Sequence, residues 1–226
     1  MLKSVVLQVE KLSREQISDM YRIMEVYYSN TSQKSFIDEL QKKQDVIILL
    51  DEQNNIRGFT TLAIFMYDAQ TQLLYSGDTI VEKEYWGRHD LSQTWIENAM
   101  FYAEKFAGVT YWFLLSKGYK TYKYLSTFFK EYYPRVDMET PTKIQGIMDT
   151  FAKQQYGDKY CNGIWAEGND YLKDEYDYTD EAAIRDKNTA FFLEKNPGYM
   201  NGDELVCLCK ISVDNLNKLG RRVLGR

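Results

Sequence analysis

Two short strand-like segments with one long helical pattern between them constrain this chain more than any other feature of it. Residues 73–81 read as a strand, and residues 111–115 (Tyr-Trp-Phe-Leu-Leu), aromatic-rich and closed by Gly118, read as a central strand. Between them stand Glu84-Tyr85-Trp86-Gly87-Arg88-His89-Asp90 and then Leu91, Trp95, Ala99, Tyr102, Ala103 and Phe106 at helical spacing. A strand, a loop, a helix and a second strand in this order place the chain among α/β proteins.

The flanking segments extend the pattern. Residues 5–9 alternate as a strand, and Ser13-Arg14-Glu15-Gln16 offers a capping box for a helix carrying Ile17, Met20, Tyr21, Met24 and Tyr28. A second helix is expected over 32–43, with Phe36, Ile37 and Leu40 on one stripe. The runs 46–50 and 56–67, separated by Glu52-Gln53-Asn54-Asn55, read as a hairpin. After residue 118 a Tyr-rich helix over 121–132 is expected to end at Pro134. Beyond it follow a helix over 142–155, an acidic stretch over 167–181, a helix over 188–195 and a strand over 205–211 with Cys207 and Cys209 on one face. A last helix is expected to be capped near Asp214. The acidic stretch holds seven acids against Lys173 and reads as solvated surface, open or near an acceptor mouth.

Several function classes drop out at this stage. The apolar runs fall far short of the ~20 residues that cross a bilayer, and the N-terminus lacks a signal-peptide pattern, so the expected compartment is cytoplasmic. A formal charge of −5 disfavours nucleic acid as a partner. Three cysteines without CxxC spacing read as buried thiols, and the single histidine, His89, excludes a His-rich metal centre, so no metal is expected. Nineteen tyrosines suit both a thick core and an amphipathic channel.

Over residues 5–135 the order strand, helix, helix, three strands, loop, helix, strand, helix resembles the GNAT superfamily of acyl-CoA-dependent N-acyltransferases. The resemblance implies a splayed mixed β-sheet flanked by helices, with 73–81 and 111–115 as adjacent parallel strands that diverge to admit a pantetheine arm. Residues 136–226 are then a C-terminal extension packed on that core, serving as an acceptor-binding half or a homodimer surface. Thr79, Ile80 and Val81 resemble the family's donor-binding strand, and Trp86, Gly87, Arg88 and His89, with Ser92 on the following helix, resemble its phosphate loop. A tight turn aims backbone N–H groups at a phosphate and the helix dipole adds to them. The loop diverges from the family pattern. Where relatives carry Arg or Gln, then Gly, then Gly or Ala, this chain reads Trp86, His89 and Leu91, and Asp90 with Gln93 reads as a capping pair.

The donor implied is an acyl-CoA or a phosphopantetheine arm on an acyl carrier protein. Ser116 and Lys117, with Lys120 and Lys123 after them, lie where a donor mouth or a carrier-docking patch would be. The acceptor implied is a small-molecule or peptide amine. In the family a tyrosine on the helix after the second splayed strand often protonates the thiolate, which nominates Tyr122 and Tyr124. Glu84, His89 and Asp78 are the nominees for base. Two other readings stand beside acyl transfer: a catalytically silent GNAT-like scaffold, and a different thioester-using enzyme on the same fold.

Overall fold

The computed structural model describes residues 2–166, 170–177 and 179–225. The chain begins with β1 (Lys3–Gln8), α1 (Arg14–Tyr27), β2 (Tyr28–Ser29) and α2 (Gln33–Leu40), then the meander β3 (Asp45–Leu50), β4 (Ile56–Asp68) and β5 (Thr71–Val81). Helix α3 (Asp90–Lys105) leads to β6 (Val109–Ser116) and α4 (Tyr119–Phe128). The remainder comprises α5 (Thr142–Tyr156), β7 (Tyr160–Cys161), β8 (Ile164–Trp165), β9 (Tyr171–Leu172), α6 (Glu181–Ile184), α7 (Lys187–Lys195), β10 (Glu204–Lys210) and α8 (Lys218–Val223).

Eight strands form one mixed sheet in the order β1-β3-β4-β5-β6-β10-β8-β7, and β2 pairs with β9 in a small ribbon. Among the described residues only β5 and β6 are parallel, joined by the crossover through α3. The sequence explains why these strands are central. In β3, Val46 and Ile48 pack with α1 and α2 while Ile47 and Leu49 face α3 and α4, so an unbroken apolar run is buried on both faces. Helix α5 covers the far end of the sheet, where Phe151 packs edge-on against Phe113 at 4.7 Å. Burying a side chain such as Phe113 contributes about 1.5–3 kcal/mol.

Several expectations hold in detail. The capping box at Ser13 and Gln16 forms in both directions, at 2.9 and 3.1 Å. Cys207 and Cys209 are both buried in β10. Others need correction. Helix α4 stops at Phe128, because the chain then turns extended to meet the C-terminus: Phe129 bridges Leu216 and Lys130 N–H donates to Asn215 O. The final helix is capped by Asn217, whose side chain accepts from Leu219 and Gly220. Cys161 is exposed. The segment after residue 135 is more than a covering layer, since it supplies β10, β8 and β7 to the same sheet. Among the described residues no helix is long and apolar enough to cross a membrane.

Candidate functional site

The site begins where two strands separate. Strands β5 and β6 stay in register from Thr71 with Val109 to Ser76 with Leu114. Beyond that pair β5 follows β4 as far as Val81 opposite Gly58, while β6 follows β10 as far as Ser116 opposite Leu205. The β6-facing backbone edge of residues 77–81 is therefore left without a strand partner. A bulge sits at the branch point: Thr60 pairs with Thr79 and Leu62 with Ser76, so Thr61 alone stands against Gly77 and Asp78. The backbone is closely covered there: a Cβ on Gly77 would lie 2.6 Å from Thr61 Oγ1 and 3.0 Å from Lys43 Cε, so a larger residue would have to displace those side chains.

On one side of the opening lies an aromatic cleft of about 450 Å³ between the end of β5, the loop before α3, the start of α4 and the segment 172–177. Gly87 holds φ at +79°, the left-handed turn that glycine tolerates. Past it, the N–H groups of His89, Asp90, Leu91 and Ser92 donate to no backbone acceptor among the described residues, which leaves a set of donors at the N-terminus of a long helix. Tyr124 lines this cleft and also a small apolar side pocket of about 30 Å³ between Trp95, Ile96, Trp112 and Phe128. Burial raises the Tyr124 phenol above its ordinary range, so it stays protonated at neutral pH.

On the other side lies an acidic cavity of about 730 Å³, reaching from α2 to β10 and including Asp38, Glu39, Asp78, Asp170 and Glu204. Thr79, Ile80, Tyr28, Lys117 and Thr121 line both spaces, so the two meet at the branch point. Burial raises Asp78 above the usual carboxylate range, even with Lys43 and Lys117 opposing it. Lys117 Nζ lies 2.7 Å from Asp170 Oδ2 and 3.4 Å from Glu204 Oε1. Burial disfavours its charge, but those two carboxylates outweigh burial and hold the ammonium above its normal value. Tyr28, under the same ammonium, is pushed up to about 12 by burial.

The structure brings together many of the residues nominated from sequence. Thr79, Ile80, Val81, Trp86, Gly87, Arg88, Lys117 and Tyr124 all line the aromatic cleft. Ser92 faces the side pocket and donates to His89 O at 3.1 Å. Others go elsewhere. Tyr122 is fully buried and its hydroxyl donates to Pro134 O at 2.9 Å, on the far side of α4 from the cleft. Ser116 is buried and bonds Gly118 O. Glu84 is exposed in a short 3-10 turn. His89 is the N-cap of α3 by backbone alone, and its exposed ring packs edge-on against Phe128. The Asp90–Gln93 capping pair does not form: Asp90 accepts from Arg88 Nε at 2.9 Å, and Gln93 bonds Glu97.

The lysines after β6 are likewise committed internally. Lys117 is in the buried ion cluster, Lys120 lies 3.6 Å over the Trp86 ring, and Lys123 pairs with Asp186 at 3.3 Å. Burial brings Lys120 down to about 8. The acidic stretch is split over its described part: Asp174, Glu175, Asp180 and Glu181 are exposed, as expected of solvated surface, while other residues pack inward. Leu172 pairs with Tyr28, Tyr176 packs on Tyr27 at 4.5 Å, and Asp170 is drawn into the cavity; Glu167 lies outside the described residues. Sequence reasoning passed over Tyr28, Lys43 and Glu204. Their only signal is a charged or polar residue beside an apolar run, which many surface positions share.

No protein-family model matches the chain, and no curated protein matches it in sequence. Among solved structures, an aminoglycoside acetyltransferase from an uncultured soil metagenomic sample is 21% identical with a TM-score of 0.44, over 62% of this chain and 92% of that one. The catalytic domain of a Tetrahymena histone acetyltransferase, solved with coenzyme A, is 10% identical with a TM-score of 0.42, over 72% and 87%. A probable N-acyltransferase from Enterococcus faecalis is 13% identical with a TM-score of 0.42, over 57% of this chain, which spans 33% of that protein. The chain's own topology among the described residues, an eight-stranded mixed sheet flanked by helices whose parallel pair opens beyond a bulge, is consistent with the GNAT-like arrangement expected from the sequence.

Proposed function

We propose that this protein transfers an acyl group from a phosphopantetheine thioester to an amine. The observation that carries the reading is the pair of spaces that share Tyr28, Thr79, Ile80, Lys117 and Thr121 beside the unpaired edge of β5, one beside the N–H groups at the start of α3 and the other an acid-lined cavity. A phosphate fits the first, an extended pantetheine amide can bond the bare strand edge, and a cationic amine fits the second. The side pocket of about 30 Å³ next to Tyr124 holds a group of acetyl size, since a water needs roughly 10–15 Å³ on the same measure.

In this reading the backbone at the Gly77–Asp78 bulge polarises the thioester carbonyl, Asp78 takes a proton from the incoming ammonium, and Tyr124 protonates the departing thiolate. Arg88 and the backbone of residues 87–92 hold the phosphate. Coenzyme A is favoured over a carrier protein, because Lys117, Lys120 and Lys123 are engaged within the chain and do not form an open docking patch. The test is thiol release from acetyl-, butyryl- and octanoyl-CoA and from an acetylated carrier protein, each with a panel of mono- and polyamines. Acetyl-CoA with a cationic amine is expected to turn over fastest. Absence of thiol release with every pair, together with no CoA binding by calorimetry, returns the chain to a binding or scaffold role.

A further inference from the structure

One amine of the protein itself reaches the branch point. Lys43 follows α2, and its side chain crosses Thr61 to reach the bulge on β5; a Cβ on Gly77 would sit 3.2 Å from its Nζ. The side chain is 5% exposed, and its amine lies 4.2 Å from the centre of the Tyr75 ring on the wall of the acidic cavity. Its compensation is thin. Glu39 Oε2 stands 3.9 Å away on an exposed side chain whose other oxygen is held by Lys42. The charged or titratable groups around it are Glu39 and Lys42 near the end of α2, Asp78 and Tyr75 on β5, and Glu204 on β10. Burial outweighs the carboxylates and lowers the pKa of this amine, so more of it is neutral than at any solvent-exposed lysine of ordinary pKa.

We propose that Lys43 is an internal acyl acceptor, acylated in cis at Nζ by a thioester bound through the opened sheet when no better amine fills the acidic cavity. The proposal rests on the thioester reading above. The neutral amine attacks the carbonyl carbon, a C–N bond forms and the C–S bond breaks. The thiolate leaves as the free thiol after taking up the proton released by nitrogen, with Asp78 able to relay it. No oxidant or reductant is involved. The product is a stable amide that removes a positive charge from the cavity and places an acyl group against Gly77, where an external amine must approach. Self-acylation therefore slows transfer to any other acceptor.

The experiment incubates the full chain with acetyl-CoA, and in a second arm with an acetylated carrier protein, without amine, followed by intact mass and peptide mapping. We expect one acetyl group on Lys43, appearing at least about tenfold faster than on Lys34 or Lys42 because the reacting groups are held together. The rate should level off at lower pH than labelling of those surface lysines. A cationic amine that is turned over should suppress it. The increment should vanish in Lys43→Arg, whose folding is checked by thermal melting, and the preference should vanish in urea. If an external amine is acylated while Lys43 stays unmodified, the inference falls and the transferase reading stands. Equal labelling of Lys34, Lys42 and Lys43 is ordinary chemical acylation and overturns the inference as well. If no thioester is consumed with or without amine, both fall together.

Discussion

The aromatic cleft and the acidic cavity share Thr79, Ile80, Lys117 and Thr121, yet they are assembled in opposite ways. The cleft is made largely from two continuous stretches, the end of β5 through the start of α3 and the start of α4, and backbone N–H groups at the start of α3 stand among its aromatic and charged side chains. The cavity draws on α2, β5, the end of β6, β8, the segment at Asp170 and the start of β10, and its polar groups are side chains. The N–H groups at the start of α3 tolerate changes of side chain, because they belong to the fold. A cavity built from scattered carboxylates does not, since each acid depends on a distant partner.

That contrast can be broken most severely at Asp78. Asp78→Asn is expected to lower kcat by about 10²–10⁴-fold, the usual range for loss of a general base. CoA affinity by calorimetry should stay the same. In the parent protein the acid limb of kcat/KM should lie above the ordinary carboxylate pKa of ~3.9, since burial raises Asp78, and activity should grow as pH rises through that limb. In Asp78→Asn the limb should disappear. A CoA affinity that falls in step with kcat would mean the two spaces are one site without separate roles.

The second break is between segments. Lys117→Met leaves Asp170 and Glu204 facing each other in a buried cluster, and removal of one partner from such a cluster costs about 3–5 kcal/mol. Denaturant unfolding should report that loss, with part of it recovered in Lys117→Met combined with Glu204→Gln. A change of under about 1 kcal/mol, the range of an exposed pair, would show that the segment at Asp170 is held by the β2–β9 ribbon alone.

The smallest effect is expected in the cleft. Asp90→Gly frees Arg88 from its ion pair and removes a carboxylate from the ring of N–H donors, so CoA should bind up to about fivefold more tightly. Weaker binding would mean that Asp90 orients Arg88 for the phosphate.

The same contrast decides what can be read from the chain without coordinates. The β5, loop and α3 unit was legible because its signals are local: a β-prone run, a glycine in a charged loop and an apolar helical stripe. Gly87 belongs to that unit, whereas Tyr122 and Tyr124 are nominated only by the family resemblance. Tyr122 was misplaced because the helical period alone does not say which face of α4 meets the sheet; the bond to Pro134 settles it. Asp90 was read as a cap because nothing in the spacing shows that Arg88, two residues earlier, holds its carboxylate. Lys43 and Glu204 reach the cavity from distant parts of the chain. Only the sheet order brings them together, and β10 lying beside β6 has no local signature.

The place of β10 also sets when the site can exist during synthesis. Ser116 on one rim of the opening is paired with Leu205, so that rim gains its outer neighbour only after the chain has been made as far as β10. Closing so long a loop is slow, and until it closes β6 presents Trp112, Phe113, Leu114 and Leu115 along an unprotected edge. The β1–β5 meander has no such delay. A ribosome-bound chain would hold the β5 side of the cleft, bulge included, while its β6 side was still an open strand in need of a chaperone or of its own C-terminus.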